Sequence, residues 1–356
     1  MKSSNKTICL KALVVLSLLS LGSYASAEEY TWETPTFNDW KVMQLSGNQV
    51  LPHDALIGNN GTSVGPVPTA IFTKSGEKLE LSSENNGKLQ VIVRPKPNAT
   101  PHWLYGIYNY ASTTDTTPQQ TTELGVDLES AKTQYPGYEE LAKAIEVRAR
   151  GHQAGSPGNN AVSKASFLED VGIKVVNKTE GAKSPYPTAD AVMGLALAGF
   201  DGGVVDVSFK KNLSIEGHAE TNKNVYGLHM NDQGANGIGS KLSLGGNTFI
   251  NVASEHGGRA VGMLALAHEA NQTITMAETG SLVVKAKQAE GQNFSEAIKF
   301  IARGSAGKMS KQHATFGGGV SATANGAYYA VGVGAEVANG STQNLTFEKG
   351  LISSVT

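Results

Sequence analysis

Residues 259–267, RAVGMLALA, place Gly262 inside an apolar run that otherwise has the composition of a β-strand. Glycine in the interior of a strand normally weakens it, so its presence here needs an explanation. The same arrangement occurs 35 residues upstream in NVYGLHM, which contains Gly227. It occurs again 35 and 70 residues downstream in SEAIKFIA and YAVGVGA, where Ala297 and Gly332 stand in the glycine's place. A small residue at constant spacing indicates that the chain repeats.

Three kinds of short segment recur in the same order around this small residue. Alternating segments come first (LSIEG at 213, FINVA at 249, LVVKA at 282, VSATA at 320), and the segments with the small residue follow. Brief segments such as KLSL at 241 and TITM at 273 come third, and polar turns separate all three. A single coil of this kind buries too little apolar surface to fold alone, so successive coils must stack. The pattern therefore predicts an all-β parallel β-helix solenoid with three short strands per coil.

The alternation also predicts which side chains point inward. Ile215, Val252, Val284 and Ala322 occupy similar places in the first strand of successive coils, so we expect them to form one inward-facing column. The small residues should form a second column and let the chain bend between faces. A β-branched side chain at Gly262 is then expected to collide with its neighbours in the coils on either side.

The first 27 residues have the layout of a secretory signal peptide. Three lysines and no acidic residue precede the apolar run ALVVLSLLSLG, and A-S-A ends at Ala27. The alternative is a membrane anchor, but the run is shorter than the roughly 20 residues that a spanning helix needs. We expect cleavage before Glu28.

The composition of the remaining chain argues against disulfide bonds and against nucleic-acid binding. The single cysteine, Cys9, lies in the predicted signal peptide, so the exported chain has no disulfide and depends on its core for stability. Loss of three lysines changes the net charge from -2 to -5, and the chain has five arginines. Clustered basic side chains are what nucleic-acid binding requires, so we predict no nucleic-acid partner.

Domain boundaries follow from where the repeat is interrupted. Residues 28–75 are rich in turns, and we interpret them as an N-terminal cap before the β-helix of residues 76–356. Residues 112–144 are interpreted as an insertion between coils, formed by a threonine-rich loop and a segment, GYEELAKA, of helical character. Pro136 prevents a continuous helix from further upstream.

One motif matches the pattern of a catalytic nucleophile. GTSVG at 61–65 surrounds Ser63 with the small residues of a nucleophile elbow, and His53 and Asp54 are near it in sequence. That elbow requires a helix that begins at the serine. Pro66 and Pro68 follow almost at once and prevent such a helix, so we interpret the segment as a capping loop.

Histidines and carboxylates provide the remaining candidates. Four histidines fall in adjacent coils, but their offsets from the small residue differ and no metal-ligand spacing occurs: His218, His229, His256 and His268. Among the carboxylates, Asp201, Asp206 and Asp232 are not at inter-coil spacing, whereas Glu255 and Glu290 are 35 residues apart and are expected to stack in a turn. We predict no catalytic, cofactor-binding or metal-binding residue, and no cofactor.

The signal peptide, the cysteine-free coils and the strands of pattern A-x-G-apolar together resemble the passenger domains of bacterial autotransporters, in particular pertactin-like adhesins. The resemblance covers roughly residues 75–356 and implies a right-handed β-helix. It also implies export as an unfolded chain, which accounts for the missing cysteines. The protease subclass of that family carries a G-D-S-G nucleophile motif, which this sequence lacks.

The resemblance implies a non-enzymatic, adhesin-like binding protein at the surface of a Gram-negative bacterium or secreted from it, with a protein or glycan ligand. It also implies a C-terminal translocator barrel, for which these 356 residues contain no segment. We therefore expect the reading frame to continue, and a product ending at Thr356 to reach the periplasm and either stay there or aggregate. The alternative is a carbohydrate-active β-helix enzyme, a polysaccharide lyase or hydrolase, which would show carboxylates and aromatic residues clustered in a groove.

Overall fold

A computed structural model gives the fold of the chain. It describes residues 43–44, 47–51, 55–59, 69–73, 75–83, 88–93, 104–113, 120–127, 130–135, 142–151, 161–177, 191–220, 223–234, 239–290, 294–305 and 307–356. All of these belong to one compact unit, Pro35–Thr356. The predicted signal peptide, His53, Asp54 and Ser63 lie outside the described residues. The described residues contain no helix, and so none that could span a bilayer.

Twenty-seven strands, numbered β1 to β27 in chain order, form three sheets of nine strands each. Sheet 1 contains Met43–Gln44 (β1), Thr69–Thr73 (β4), Leu104–Ser112 (β7), Ala142–Arg150 (β10), Ala191–Phe200 (β13), Asn224–Gln233 (β16), Ala260–His268 (β19), Phe294–Arg303 (β22) and Tyr329–Ala338 (β25). Sheet 2 contains Gly47–Leu51 (β2), Lys78–Ser83 (β5), Gln120–Asp127 (β8), Ala161–Phe167 (β11), Val204–Phe209 (β14), Gly239–Leu244 (β17), Asn271–Met276 (β20), Lys311–Phe316 (β23) and Thr342–Phe347 (β26). Sheet 3 contains Ala55–Asn59 (β3), Lys88–Val93 (β6), Ser130–Tyr135 (β9), Asp170–Asn177 (β12), Leu213–Ala219 (β15), Thr248–His256 (β18), Ser281–Glu290 (β21), Gly319–Gly326 (β24) and Leu351–Val355 (β27).

The order of strands within each sheet shows how the chain winds. Every strand pairs in parallel with the strands three before and three after it in sequence, and consecutive strands belong to different sheets. Each coil therefore contributes one strand to each of three faces. The predicted all-β parallel solenoid with three strands per coil is confirmed, while its handedness stays a prediction.

Two of the predicted boundaries are wrong. Residues 112–144, expected to form an insertion, include β8 and β9, which pair on both sides with strands of sheets 2 and 3. Strand β10 begins at Ala142, inside the segment expected to be helical. In β8, Leu124 and Val126 stand in register with the buried Ala165 and Phe167. Only these two apolar residues mark the repeat in β8, so this threonine-rich strand resembles a loop in sequence.

The predicted N-terminal cap is also partly solenoid. Within residues 28–75, β1 pairs with β4 in sheet 1, and β2 and β3 pair with β5 and β6 in the other two sheets. The coil pattern therefore begins by Met43 instead of at residue 76. The first coils carry fewer apolar residues than the later ones, so the repeat is harder to recognise there.

The four residues predicted to form an inward column of sheet 3 all point inward, but one of them belongs to a different column. Ile215, Val252, Val284 and Ala322 are all fully buried. The ladder, however, aligns Ile215 with Ile250, and Ile250 with Val284. Val252 belongs to the next column, in register with Gly217 and Ala286. A displacement by two residues preserves the inward facing, since the side-chain period of a strand is two.

In the sheet 1 strands from β13 to β25, the recurring small residue lies within the strand, where the ladder of paired residues skips it. In β16, Val225 and Leu228 both point into the core although they are three residues apart, so the alternation changes phase at Gly227. A Cβ atom at Gly262 would lie 2.2 Å from Cγ1 of Val284 and 2.6 Å from the carbonyl oxygen of Ala297. The need for a small residue thus comes from the inward side chain of sheet 3 and the next coil's backbone. The expected collision with Gly227 is not among the closest contacts.

Candidate functional site

Among the described residues, the histidines and aspartates singled out in the sequence do not converge on one site. His218 lies 3.2 Å from Glu255, and His256 lies 3.6 Å from Glu290, so these two histidines form separate pairs on sheet 3. The ring of His229 stacks on Tyr226 in sheet 1. Across the described ranges, no group of three or more histidine, cysteine or acidic side chains could hold a metal ion.

The three aspartates occupy different environments. Asp201 accepts a hydrogen bond from Nε of Arg150 at an exposed turn, 3.3 Å away. Asp206 is half-buried in sheet 2, in register with Lys164 and Lys241. Asp232 lies inside the solenoid and is fully buried. Because solvent does not reach Asp232, its carboxyl cannot contact an external substrate.

A surface depression lies on the outer side of sheet 1, over β22 and β25. This sheet 1 groove has a volume of about 410 Å³ and is lined by Arg259, Phe294, Glu296, Lys299, Tyr329, Val331, Gly334, Ala335 and Glu336. The register between β22 and β25 positions its floor, since Glu296 lies beside Val331 and Lys299 beside Gly334. The absent side chain of Gly334 leaves space beside Lys299.

A buried carboxylate holds two cations at this groove. Glu296 is 3% exposed, and its two oxygens accept hydrogen bonds from Nη2 of Arg259 at 2.8 Å and Nζ of Lys299 at 2.6 Å. Such a buried charge is tolerated because both oxygens are paired. The two cations are more exposed than the carboxylate, so the three groups present one net positive charge toward solvent.

Aromatic rings form another wall of the groove. Phe294 and Tyr329 meet edge to face, with ring centroids 5.3 Å apart and an interplanar angle of 89°. The guanidinium of Arg259 lies over the Phe294 ring, 5.3 Å from its centroid, in cation–π geometry. Tyr329 is 50% exposed, so about half of its surface is accessible to a ligand.

Ion pairs engage both carboxylates of the groove. Its second carboxylate, Glu336, accepts a 2.6 Å hydrogen bond from Nη2 of Arg303. Both groove carboxylates are therefore engaged with cations. The groove thus combines an exposed aromatic ring, two cations and a buried carboxylate.

A smaller depression of about 320 Å³ lies on the outer side of sheet 3. Lys174, Glu216 and His218 line it, and the ammonium of Lys174 is 3.7 Å from the Glu216 carboxylate. No phenylalanine, tyrosine or tryptophan is among its lining residues. It therefore offers less for ligand recognition than the sheet 1 groove.

The sequence carries a signal for the groove that strand alternation alone does not reveal. SEAIKFIA, the segment with Ala297 at the small position, carries Glu296 one residue before Ala297 and Lys299 two residues after it. The phase change at the small residue brings both to the outer face. Without the phase change, simple alternation would have placed them on opposite faces.

Comparisons with known proteins add no family to this description. No protein-family model matches the chain, and no curated protein or solved structure matches it significantly. The structure therefore establishes a three-sided parallel β-solenoid and does not assign it to a family.

Proposed function

We propose that this chain is the exported, non-enzymatic binding region of an autotransporter-type surface protein, with an adhesin-like task. The parallel β-solenoid is compatible with such a passenger domain, and the cysteine-free sequence after residue 27 is consistent with crossing an outer membrane unfolded. Fold by itself does not establish function, so the support must come from the chemistry of the surface.

The main observation behind the proposal is that both groove carboxylates are ion-paired. Glu296 is held between Arg259 and Lys299, and Glu336 is paired with Arg303. A polysaccharide hydrolase needs two carboxyl groups facing each other across the substrate, one of them able to donate a proton. A binding surface needs charged groups and rings that a ligand can contact, which this arrangement supplies.

Binding and turnover can be separated in one experiment. Purified protein is applied to immobilised extracellular-matrix proteins and to immobilised polysaccharides, and bound protein is measured together with the release of reducing or unsaturated sugar ends. We expect saturable binding to at least one surface without release of product. Product that accumulates linearly with time would replace this proposal with the enzyme alternative.

Export is tested separately. The full chain is expressed in a Gram-negative host, and the intact mass of the exported protein is measured. We expect a product that begins at Glu28. A product that retains residues 1–27 would contradict the signal-peptide prediction.

A further inference from the structure

We propose that the sheet 1 groove is a binding site for an acidic carbohydrate, a glycan that carries carboxylate or sulfate groups. In this assignment the ring of Tyr329 stacks on a sugar, and Lys299 and Arg259 face its acidic group. The inference rests on the proposed binding function and names the ligand class of the same groove.

Charge complementarity supports this ligand class first. Arg259 and Lys299 share one buried carboxylate, so the cluster has an excess of one positive charge on the side that faces solvent. The remaining carboxylate, Glu336, is balanced by Arg303. A neutral ligand would form no ion pair with the excess positive charge. An anionic group would replace water around the Lys299 ammonium with a charge-assisted hydrogen bond.

The exposed aromatic ring supports it independently. The face of an aromatic ring is the negative side of its quadrupole and attracts the positively polarised C–H groups on the flat side of a sugar. Tyr329 is half exposed, and its orientation is supported by the perpendicular ring of Phe294. Arg259 stacks on Phe294, so the rings and the cations form one connected unit.

The backbone of the groove is unfavourable for an extended peptide. Peptides that bind along a sheet are held mainly by main-chain hydrogen bonds to a free strand edge. Strand β22, which forms the groove floor, is already paired with β19 on one side and β25 on the other. Recognition here must come from side chains, and these are rings and charged groups, as recognition of a sugar acid requires.

The test uses four defined probes on the full-length protein after removal of its signal peptide by the expression host. They are a galacturonate hexasaccharide, a heparin-derived hexasaccharide, maltohexaose as the neutral sugar, and hexaglutamate as the acidic peptide. Dissociation constants are measured by calorimetry at low and physiological salt. We expect at least one acidic oligosaccharide to bind about tenfold or more tightly than both maltohexaose and hexaglutamate, and to weaken as salt increases.

Variants assign the binding to the groove. Tyr329→Ala is expected to weaken binding of the acidic oligosaccharide about tenfold, while Tyr329→Phe retains it. The matched control is Tyr328→Ala, because Tyr328 is 67% exposed and does not line the groove. Lys299→Gln should weaken binding and reduce its salt dependence, whereas Lys287→Gln on sheet 3 should change neither. Thermal melting of each variant checks that the solenoid is intact.

Several results would overturn the inference. Failure of both acidic oligosaccharides to bind excludes the ligand class, and equal binding of hexaglutamate replaces the glycan with an acidic peptide. Surface binding that persists in Tyr329→Ala would refute the groove and leave the proposed binding function standing. Cleavage of an oligosaccharide would refute the proposed function itself, so the two failures are distinguishable.

Discussion

Two stacks of inward-facing residues run through the same coils and differ in what holds them together. On sheet 3, an apolar stack is formed by Ile173, Ile215, Ile250, Val284 and Ala322. On sheet 2, a polar stack is formed by Ser240, Gln272, Gln312 and Gln343. Both occupy one register position per coil, so the two stacks differ in side-chain chemistry and not in backbone geometry.

The polar stack is a ladder of amide hydrogen bonds that ends on an aspartate. Nε2 of Gln343 donates to Oε1 of Gln312 at 2.8 Å, and Nε2 of Gln312 donates to Oε1 of Gln272 at 2.7 Å. Gln272 in turn donates to Oδ2 of Asp232 at 2.7 Å, and the hydroxyl of Ser240 donates to Oδ1 at 2.6 Å. Each amide thus has its partner in the neighbouring coil.

The contrast between the stacks indicates how a repeated fold sets its register. The apolar stack requires volume and shape, so it accepts isoleucine, valine or alanine at the same place. The polar stack is directional, and a missing partner leaves a buried polar group unpaired, which costs more than a lost methyl group. We infer that the ladder specifies which residues of neighbouring coils face each other, while the apolar stack contributes buried apolar area.

The largest effect is expected from Gly262→Val, which forces a branched side chain against the apolar stack. A single Cβ atom there would already lie 2.2 Å from Val284 and 2.6 Å from the Ala297 carbonyl oxygen. Overpacking usually costs about 1–3 kcal/mol, and a backbone atom must also move here, so we expect about 4 kcal/mol or more. Urea unfolding measures the loss.

Gly319→Val is the matched control for that change. A Cβ atom at Gly319 would have no neighbour within 4 Å, and its φ is not positive. We expect an unfolding midpoint close to that of the wild type. Equal midpoints for Gly262→Val and the wild type would show that the recurring small residue is not required by packing.

The second largest effect is a pH dependence of stability that arises from Asp232, the residue at which the ladder ends. Burial raises the pKa of Asp232 to about 7 from 3.8, although the hydrogen bonds from Ser240, Gln272 and the Gly199 backbone lower it in part. A carboxyl whose pKa is raised by folding stabilises the protein fully below its unfolded pKa. That contribution is lost as the pH rises toward the folded pKa. The wild type should therefore lose stability between about pH 4 and pH 7, by at most roughly 4 kcal/mol from this group.

Asp232→Asn removes this titration from the polar stack. Urea midpoints measured from pH 4 to pH 8 should decline less steeply for the variant than for the wild type. Parallel curves for Asp232→Asn and the wild type would contradict the assigned proton.

The smallest losses of unfolding free energy are expected from a single substitution in each stack. Gln272→Met keeps the side-chain length but removes the donor to Asp232 and the acceptor of Gln312, so we expect a loss of about 2–3 kcal/mol. Ile250→Val removes one methylene from the apolar stack and should cost about 1 kcal/mol. Both are measured by urea unfolding.

The pH adds a further check on the pair. The cost of Gln272→Met should be larger at pH 8, where Asp232 is charged, than at pH 5. The cost of Ile250→Val should be the same at both. Equal costs for the two variants at pH 8 would mean that the ladder contributes no more than packing does.

Much of the interior could be predicted from the sequence because it is local and periodic. The spacing of Gly227, Gly262, Ala297 and Gly332 predicted the coil, and alternation predicted the inward facing of Ile215 and Val284. Even the ladder was readable in principle. In NQTITM, KQHATF and TQNLTF, the glutamine precedes two apolar residues at period two and must share their face.

Other features depended on contacts between coils, which no local pattern contains. Three features depend on register or on which strands meet at a corner. These are the displacement of Val252 by one column, the membership of β8 and β9 in the sheets, and the pairing of Gln272 with Asp232. The groove likewise arises where Arg259, Glu296 and Tyr329 come from three successive coils. The repeat and the inward facing were thus fixed by spacing along the chain, which the amino-acid sequence contains in full. The register, the ladder's end and the groove were fixed only by the folded structure, because they depend on how each coil is aligned with the next.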